Sequence, residues 1–387
     1  MKSILFSVAF LPVLLCAQTP PAPHKHDPKV SPLLSEKLEI EQTYAKGKKF
    51  LLSTQKPEGY WGEESLPAFT ALALRALLHD PTRDHKKPLP ANYQKALDWL
   101  VTKQKTDGGI YGKGLATYNT SAAIMALMAA NPDKYKPMIL KARAFLINQQ
   151  TDWGVRGESD SEFDGGIGYG GTYAHSDLSN THLAIEALYH SKSLVADTGE
   201  AAEKQPDLDW EAALAFISRC QNLQESNPGD IVGNDGSFVY FPGNSKAGTE
   251  ESKSGRVSLR GYGSMSYAGL LSFVYADLSK DDPRVKAVLD WLSKNYTLEE
   301  NPGLEGQGLY YYYLTMTKAL TAANVTTLPQ EDTDPVDWRR QLATRLLSTQ
   351  REDGSWINQT SRWMENDPTL VTSYTLTTLA QIHATIE

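Results

Sequence analysis

The feature that most constrains this chain is a helical unit that recurs six times after residue 40. Each unit begins with an amphipathic segment, continues through a loop rich in Gly and Asp, and ends with a segment of small and apolar residues. The last kind of segment is apolar nearly all round, as in residues 122–129 (AAIMALMA), so both of its sides must be covered. Such a unit cannot bury its apolar faces alone and has to stack on its neighbours.

The spacing of apolar residues predicts two sets of helices. The amphipathic set covers residues 42–55, 91–104, 133–150, 208–221, 283–296 and 336–350, and the apolar set covers residues 67–79, 116–129, 177–190, 264–277, 309–323 and 369–384. No alternating pattern of any length predicts a strand between them. Six hairpins, each with one polar and one apolar helix, predict an all-α fold. We expect a single (α/α)6 toroid over residues 41–387, with the apolar helices as its inner ring.

In such a ring, the loops that join outer to inner helices gather at one end. The third loop (151–176) and the fourth (222–263) are much longer than the second (105–115) and the fifth (297–308). We therefore expect a functional site where the long loops meet the starts of the inner helices.

Composition excludes several classes of protein. The 387 residues carry 38 Lys and Arg against 46 Asp and Glu, a formal net charge of −8, so no nucleic-acid partner is expected. Cys16 and Cys220 are the only cysteines, which excludes a disulfide framework. No apolar run reaches the roughly 18–20 residues that are needed to span a bilayer.

The N-terminal segment predicts export. Lys2 is followed by an apolar run over residues 4–15, the pattern of a signal peptide that ends near residue 17. A second interpretation is a lipoprotein that is acylated at Cys16. Residues 18–40 are polar and rich in Pro, which predicts a flexible spacer ahead of the toroid. Either interpretation places the mature protein outside the cytoplasm, in the periplasm or beyond the cell.

A repeated motif opens several of the loops. It occurs as QKPEGYW at residues 55–61, QKTDGGI at 104–110 and QREDGSW at 350–356, with a weaker copy, NDGSF, at 234–238. The Gln can cap the end of its outer helix, the Gly permits a turn with positive φ, and the Trp packs beneath that turn. These copies resemble the Q-x-x-x-G-x-W repeat of squalene and terpenoid cyclases, whose superfamily includes the protein prenyltransferases. The resemblance implies an α/α toroid.

The cyclases of that superfamily start an inner helix with D-x-D-D-T, whose middle Asp protonates the substrate. The matching stretch here, DLSNT at residues 177–181, keeps Asp177 but has Ser179 at the position of the proton donor and Asn180 at that of the third carboxylate. A Ser hydroxyl is too weak an acid to protonate an alkene. Asp177 also fits a helix N-cap that accepts from the Asn180 amide. We keep Asp177, Asp164 and His175 as catalytic candidates.

The prenyltransferases bind zinc through an Asp-x-Cys pair and a later His. The corresponding helix here offers Tyr262 and Ser264 instead, and the later stretch, residues 310–315 (YYYYLT), contains no His. The sequence therefore predicts no metal and no cofactor.

Polar and aromatic residues at the starts of the inner helices predict a ligand cavity. Of the run of four tyrosines at residues 310–313 we expect two to face it, because successive helical residues point about 100° apart. The predicted lining residues are Tyr118, Asn119, Tyr169, Tyr173, Asn180, Arg260, Tyr262, Tyr267, Tyr312, Tyr313, Trp363 and Tyr374.

Such a cavity suits an isoprenoid or another hydrophobic ligand, because aromatic ring faces stabilise the cations that form on a polyene. Contact with a membrane surface would then be expected. The same cavity suits a saccharide as well, so a carbohydrate-active hydrolase or lyase stays open; a hydrolase needs two carboxylates, and Asp164 with Asp177 is the candidate pair. A third alternative is a non-catalytic scaffold whose tyrosines fill the axis. The fourth loop adds Lys246, Lys253, Arg256 and Arg260, either as a lid with affinity for anions or as a solvated loop.

Overall fold

The computed structural model describes residues 32–170, 175–196, 206–252, 254–330 and 334–386. The expected signal peptide and the greater part of the expected spacer lie outside these residues. Within them, no helix combines the length and the apolar character that a membrane crossing requires.

The described residues are mainly helical, which confirms the predicted all-α class. In chain order the helices are α1 (Pro32–Thr54), α2 (Pro67–Leu78), α3 (Ala91–Val101), α4 (Ala116–Ala130), α5 (Pro132–Ile147), α6 (Leu178–His190), α7 (Ser193–Ala196), α8 (Trp210–Arg219), α9 (Gly263–Tyr275), α10 (Pro283–Lys294), α11 (Leu309–Ala322), α12 (Trp338–Ser348) and α13 (Pro368–Thr385). Helix α1 begins ten residues earlier than expected, inside the segment predicted as a spacer, because Ile40 and Tyr44 of this helix are buried in the core.

A short hairpin in the fourth loop was not predicted. Strand β1 (Thr249–Glu251) pairs antiparallel with β2 (Val257–Leu259). Strands of three residues are too short to show the alternation by which a strand is found in a sequence.

The apolar helices contact one another in cyclic order. Helix α2 contacts α4, α4 contacts α6, α6 contacts α9, α9 contacts α11, α11 contacts α13, and α13 contacts α2. The amphipathic helices lie outside them, with α1 against α12 and α13. The last helices therefore pack against the first, and the apolar set is covered on both sides as its composition requires.

The repeated Gln joins neighbouring units. The side-chain amide of Gln350 donates to the carbonyl of Gly354 at 3.0 Å and to that of Thr43 in α1 at 2.9 Å. Gln55, Gln104, Gln150 and Gln221 make the same pair of bonds, each to the Gly of its own loop and to a carbonyl of the next outer helix or of its N-cap. The expectation that this Gln caps its own helix is corrected, since the amide bonds away from that helix.

The Gly that accepts from Gln150 in the third loop lies between two backbones. Gly165 has φ +82°, and a Cβ at this residue would lie 1.9 Å from the carbonyl oxygen of Ala212 in α8. Both the left-handed conformation and the close approach therefore require Gly here. The Trp packs beneath the turn as expected: Trp61 and Trp356 are fully buried, and their indole N–H groups donate to Leu51 and Leu346.

A buried charge cluster joins three of the inner helices. Glu186 of α6 accepts from Arg75 of α2 at 3.1 Å and from Lys318 of α11 at 2.8 Å, and Glu186 and Lys318 are almost fully buried. Burial alone would raise the pKa of Glu186, but the charges of Lys318 and Arg75 outweigh it and hold that pKa below its ordinary value. The carboxylate is therefore ionised at neutral pH and pairs with both cations.

Candidate functional site

A cavity of about 170 Å³ lies where the inner helices begin. We call it the inner cavity. Helices α4, α6, α9, α11 and α13 and the loops that precede them supply its lining, which is dominated by aromatic rings. The lining residues are Leu115, Tyr118, Tyr169, Ser179, Asn180, Tyr240, Tyr262, Ser264, Met265, Tyr311, Trp363, Met364, Glu365, Leu370 and Tyr374. Segments far apart in sequence thus form one site because the helical ring brings their N-terminal ends together.

Six of the predicted lining residues line the inner cavity, namely Tyr118, Tyr169, Asn180, Tyr262, Trp363 and Tyr374. Five others are placed elsewhere, namely Asn119, Arg260, Tyr267, Tyr312 and Tyr313. Tyr173 lies outside the described residues. The structure therefore brings part of the predicted set together at the inner-helix starts, but the sequence did not separate lining residues from packing residues there.

The run of four tyrosines shows why the separation failed. Tyr311 lines the inner cavity, whereas the hydroxyls of Tyr312 and Tyr313 donate to the backbone carbonyls of Thr297 and Leu298 in the preceding loop. The expectation that two tyrosines of this run reach the inner cavity is corrected to one. Helical spacing fixes the angle between successive residues but leaves the rotation of the helix about its axis open.

Asn119, Tyr267 and Arg260 have other surroundings. The Asn119 side chain accepts from the backbone N–H of Ala68 at 2.8 Å, and it caps the start of α2. Tyr267 is buried against Tyr312, with ring centroids 5.6 Å apart. Arg260 is exposed and lines a separate groove next to α10.

Asp177 is the N-cap of α6, as its alternative interpretation predicted. One carboxylate oxygen accepts from the backbone N–H of Asn180 and the other from its side-chain amide, each at 2.8 Å. The residue is fully buried, and burial raises the pKa of its carboxyl to about 6. It does not line the inner cavity, so its geometry is that of a helix cap.

We expect Asp177→Asn to stabilise the protein at about pH 7.5, by on the order of 2 kcal/mol. The folded-state pKa lies above the unfolded value, so the cost of the buried carboxylate is complete above about pH 6 and disappears as the pH falls towards 4. Asn still caps the helix, so the stability difference between variant and parent should vanish near pH 4. Urea denaturation across this pH range measures it.

The matched control is Asp209→Asn, at the exposed N-cap of α8, where the carboxylate accepts from Ala212. We expect a change below about 0.5 kcal/mol at every pH. A loss of stability in Asp177→Asn at all pH values would mean that the carboxylate itself is required.

Asp164 and His175 do not line the inner cavity either. The carboxylate of Asp164 is buried and accepts from the backbone N–H groups of Trp153 and Ser161, each at 2.8 Å, so it organises the third loop. The ring of His175 packs against Phe241, with centroids 4.7 Å apart. Neither residue is placed to act on a molecule in the inner cavity.

Five lining residues with polar side chains were missed as candidates: Ser179, Tyr240, Ser264, Tyr311 and Glu365. Ser179 and Tyr311 lie in stretches that the sequence did single out. Glu365 belongs to no motif, and only the folded ring brings it to α11. Its carboxylate accepts from Tyr310 N at 3.2 Å, from Tyr311 N at 2.7 Å and from the Asn358 amide at 2.7 Å.

Burial raises the pKa of Glu365, although its three donors favour the ionised form. Glu365 also caps a helix that lacks a cap of its own. The N-cap residue of α11 is Gly308, which has no side chain to accept from the first backbone N–H groups of the helix. Like Asp177, this carboxylate is committed to a helix terminus.

A second, wider space adjoins the inner cavity. We call it the vestibule; it has a volume of about 450 Å³ and is lined by Leu115, Tyr169, His175, Tyr240, Phe241, Asn244 and Lys246. Three of these residues, Leu115, Tyr169 and Tyr240, line both spaces, and the Tyr240 hydroxyl donates to that of Tyr169 at 2.8 Å. A bound molecule that passes this pair would reach from the vestibule into the inner cavity.

Strained backbone concentrates around the inner cavity. Leu115, Trp363 and Met364 have φ of 48°, 56° and 63°, in the left-handed region that residues other than Gly seldom adopt. All three line the inner cavity. Residues held in such conformations often mark sites of function, because the surrounding fold must offset their cost.

Comparisons with known proteins agree on the fold. A family model described as "Squalene-hopene cyclase C-terminal domain" matches residues 68–204. A variant of the type II terpene cyclase MstE from Scytonema, in its apo form, superposes with a TM-score of 0.50 at 12% identity, over 91% of this chain and 99% of that chain. A family 76 glycoside hydrolase from a bovine Bacteroides thetaiotaomicron strain superposes with a TM-score of 0.55 at 7% identity, over 89% of this chain and 78% of that chain.

No curated protein matches this chain in sequence. In fold, the chain is a terpenoid cyclase-like α/α toroid protein, as the resemblance of its repeats implied. At these identities the structural likeness concerns the fold and leaves the chemistry to the residues of the site.

Proposed function

We propose that this protein binds an isoprenoid or a similar hydrophobic ligand in the inner cavity. The observation that carries the proposal is the lining: six Tyr residues and Trp363 surround the space, together with Leu115, Met265, Met364 and Leu370. Aromatic and aliphatic side chains with a few polar groups are typical of sites for hydrophobic small molecules. Four of the six tyrosine hydroxyls pair with each other, Tyr118 with Tyr374 and Tyr240 with Tyr169, each at 2.8 Å.

The volume of the inner cavity limits how much of a ligand it holds. A protein cavity of about 150 Å³ takes up benzene, and the inner cavity measures about 170 Å³. It therefore accommodates the end of an isoprenoid chain, and the remainder would lie in the vestibule of about 450 Å³. A ligand that passes between the two spaces would contact Leu115, Tyr169 and Tyr240, which line both.

Binding is better supported than cyclisation. Ser179 lines the inner cavity at the position where the cyclase motif has its proton donor, and a hydroxyl cannot protonate an alkene. The nearest carboxyl candidates, Asp177 and Glu365, accept from backbone N–H groups as helix caps. We propose that the chain keeps the cyclase architecture as a binding protein.

A saccharide is the second candidate ligand. It is favoured by Trp363, which is 42% exposed beside the inner cavity, so that part of its ring is open to contact with a sugar. Hydrolysis has less support, because Asp164 and Asp177 are held by backbone donors and neither lines the inner cavity.

We expect purified protein to bind farnesol, a neutral isoprenoid, and Ser179→Phe to weaken binding at least about tenfold, by about 1.4 kcal/mol. The Phe ring would occupy the space that Ser179 borders. Quenching of intrinsic fluorescence measures affinity, and mass spectrometry after incubation with farnesol or squalene shows whether the lipid is changed. We expect it to be recovered unchanged.

The matched control is Ser279→Phe. Ser279 is exposed and follows the C-terminal end of α9, whereas the inner cavity lies at the N-terminal end of that helix. This variant should bind farnesol as the parent does. Binding of oligosaccharides without binding of farnesol would contradict the lipid proposal in favour of the second candidate. A cyclised product would contradict the conclusion that binding is uncoupled from catalysis.

We also propose a closed toroidal architecture for the chain and an exported location for the mature protein. The cyclic contacts from α2 through α13 support a single (α/α)6 toroid of six hairpins. The apolar run at residues 4–15 supports export of the mature protein, and Cys16 supports the lipoprotein alternative. An exported binding protein would meet isoprenoid lipids at a membrane surface.

A further inference from the structure

Two basic side chains lie on aromatic rings that line the inner cavity. The Lys246 ammonium is 4.2 Å from the centroid of the Tyr240 ring, and the Arg362 guanidinium carbon is 4.5 Å from that of Trp363. We call Lys246 and Arg362 the cationic rim. Each contact is a cation–π interaction, which holds the basic group beside the opening without neutralising its charge.

Neither residue of the cationic rim pairs with a carboxylate among the described residues. Lys246 contacts the Tyr240 ring and makes no hydrogen bond or ion pair there, and Arg362 donates one N–H to the side-chain oxygen of Gln307. Arg256, another basic residue of the fourth loop, is different: it donates to the carbonyls of Gly229 and Val232 and so holds the loop. The cationic rim therefore keeps donors that the fold itself does not use.

The positive charge of the cationic rim contrasts with the net negative charge of the whole chain. The protein carries a formal net charge of −8, so its overall field disfavours anions. Two cations without carboxylate partners nevertheless flank one aromatic cavity. Basic groups without a carboxylate partner beside a cavity favour a ligand that bears negative charge near them.

We propose that the cationic rim binds the anionic head of an amphiphile, a carboxylate or a phosphate, whose hydrophobic tail extends into the inner cavity. This inference rests on the proposed function, which supplies the tail. The lining fixes the orientation: the inner cavity is walled mainly by Tyr, Trp, Met and Leu, and no cation is among its described lining residues. An anionic head placed there would be desolvated without a partner, while at the rim it meets Lys246 and Arg362. The tail therefore enters first and the head stays at the rim.

Three probes with the same tail and different heads test the proposal: farnesoic acid (anionic), farnesol (neutral) and farnesylamine (cationic). In low salt, without vesicles, we expect the acid to bind about tenfold more tightly than the alcohol, and the amine to bind most weakly. Because the rim is partly exposed to solvent, about 0.5 M salt should remove most of the difference.

Substitutions assign the preference to the rim. Lys246→Gln and Arg362→Gln should each reduce the ratio of acid to alcohol affinity by about threefold, and the double variant should abolish it. Affinity for farnesol should stay within about twofold of the parent value, and Lys246→Arg should keep the preference. The control is Lys280→Gln, which removes the same charge from an exposed position after α9 and should leave the ratio unchanged.

The outcomes separate the two proposals. Equal affinity for all three probes, or a preference for the amine, would overturn the cationic rim as an anion site while leaving the isoprenoid proposal standing. If no probe binds, the proposed function itself fails. The protein could also fail to bind free farnesoic acid and sediment only with vesicles that contain anionic lipid. In that case the rim contacts a membrane surface, and the proposal of a bound amphiphile is wrong.

Discussion

Glu186→Gln is expected to reduce the free energy of unfolding by about 3 kcal/mol, because it leaves two cations without their charge partner inside the ring. Lys318 is almost fully buried, and burial already lowers its pKa to about 8. Removing the carboxylate withdraws the charge that offsets this cost, and Arg75 loses the same partner. Urea denaturation at about pH 7.5 measures the change as a shift in midpoint at constant slope.

The pH dependence of the parent supplies a second measure. The pKa of Glu186 is held below its ordinary value, so its stabilisation is present above the unfolded-state pKa and is lost as the pH falls through the lower folded-state value. Glu186→Gln should therefore lose stability at neutral pH and approach the parent in strong acid. The control is Glu299→Gln, which removes a pair with Arg345 that is exposed at the surface and should cost below about 0.5 kcal/mol. A similar small cost for Glu186→Gln would show that the cluster is not an essential part of the core.

Gly165→Ala is expected to cost at least about 3 kcal/mol, the range of the most damaging single substitutions. Two effects combine: φ is +82° at this residue, and a Cβ would overlap the carbonyl oxygen of Ala212 at 1.9 Å. The backbone of α8 cannot move away without breaking the bond from Gln150 to Asp209. Thermal and urea denaturation of parent and variant measure the loss.

Gly157→Ala separates the two effects. Gly157 lies in the same loop with nearly the same φ, +81°, but a Cβ there would meet no atom within 4 Å. We expect this variant to cost only about 1 kcal/mol, the price of the left-handed conformation alone. Equal losses in the two variants would show that the close approach of the loop to α8 contributes nothing.

The fold was largely predictable because its physical causes are local and repeated. Most helices begin and end within a few residues of the positions that apolar spacing indicated, as in α4 (Ala116–Ala130) against the predicted 116–129. Three features were out of reach. Helix α1 starts early because Ile40 contacts the rest of the core. The hairpin of β1 with β2 and the four-residue helix α7 are too short to leave a pattern.

The site was predictable only as a region. Inner-helix starts converge because the ring closes, which is why Tyr118, Tyr262 and Tyr374 line one cavity although they are far apart in sequence. Tyr311 could not be told from Tyr312, because the choice depends on how α11 is rotated by its packing against α9 and α13. Glu365 was missed because its role is set by the backbone N–H groups of another unit.

Closure by Gln350 has a consequence for how the molecule comes apart. In an open array of repeats, the terminal units have one neighbour each and can detach first. Here the bond from Gln350 to Thr43, and the contact of α13 with α2, give the first and last units two neighbours each. No unit is then a favoured starting point for fraying, so the described helices should lose their structure as one cooperative body.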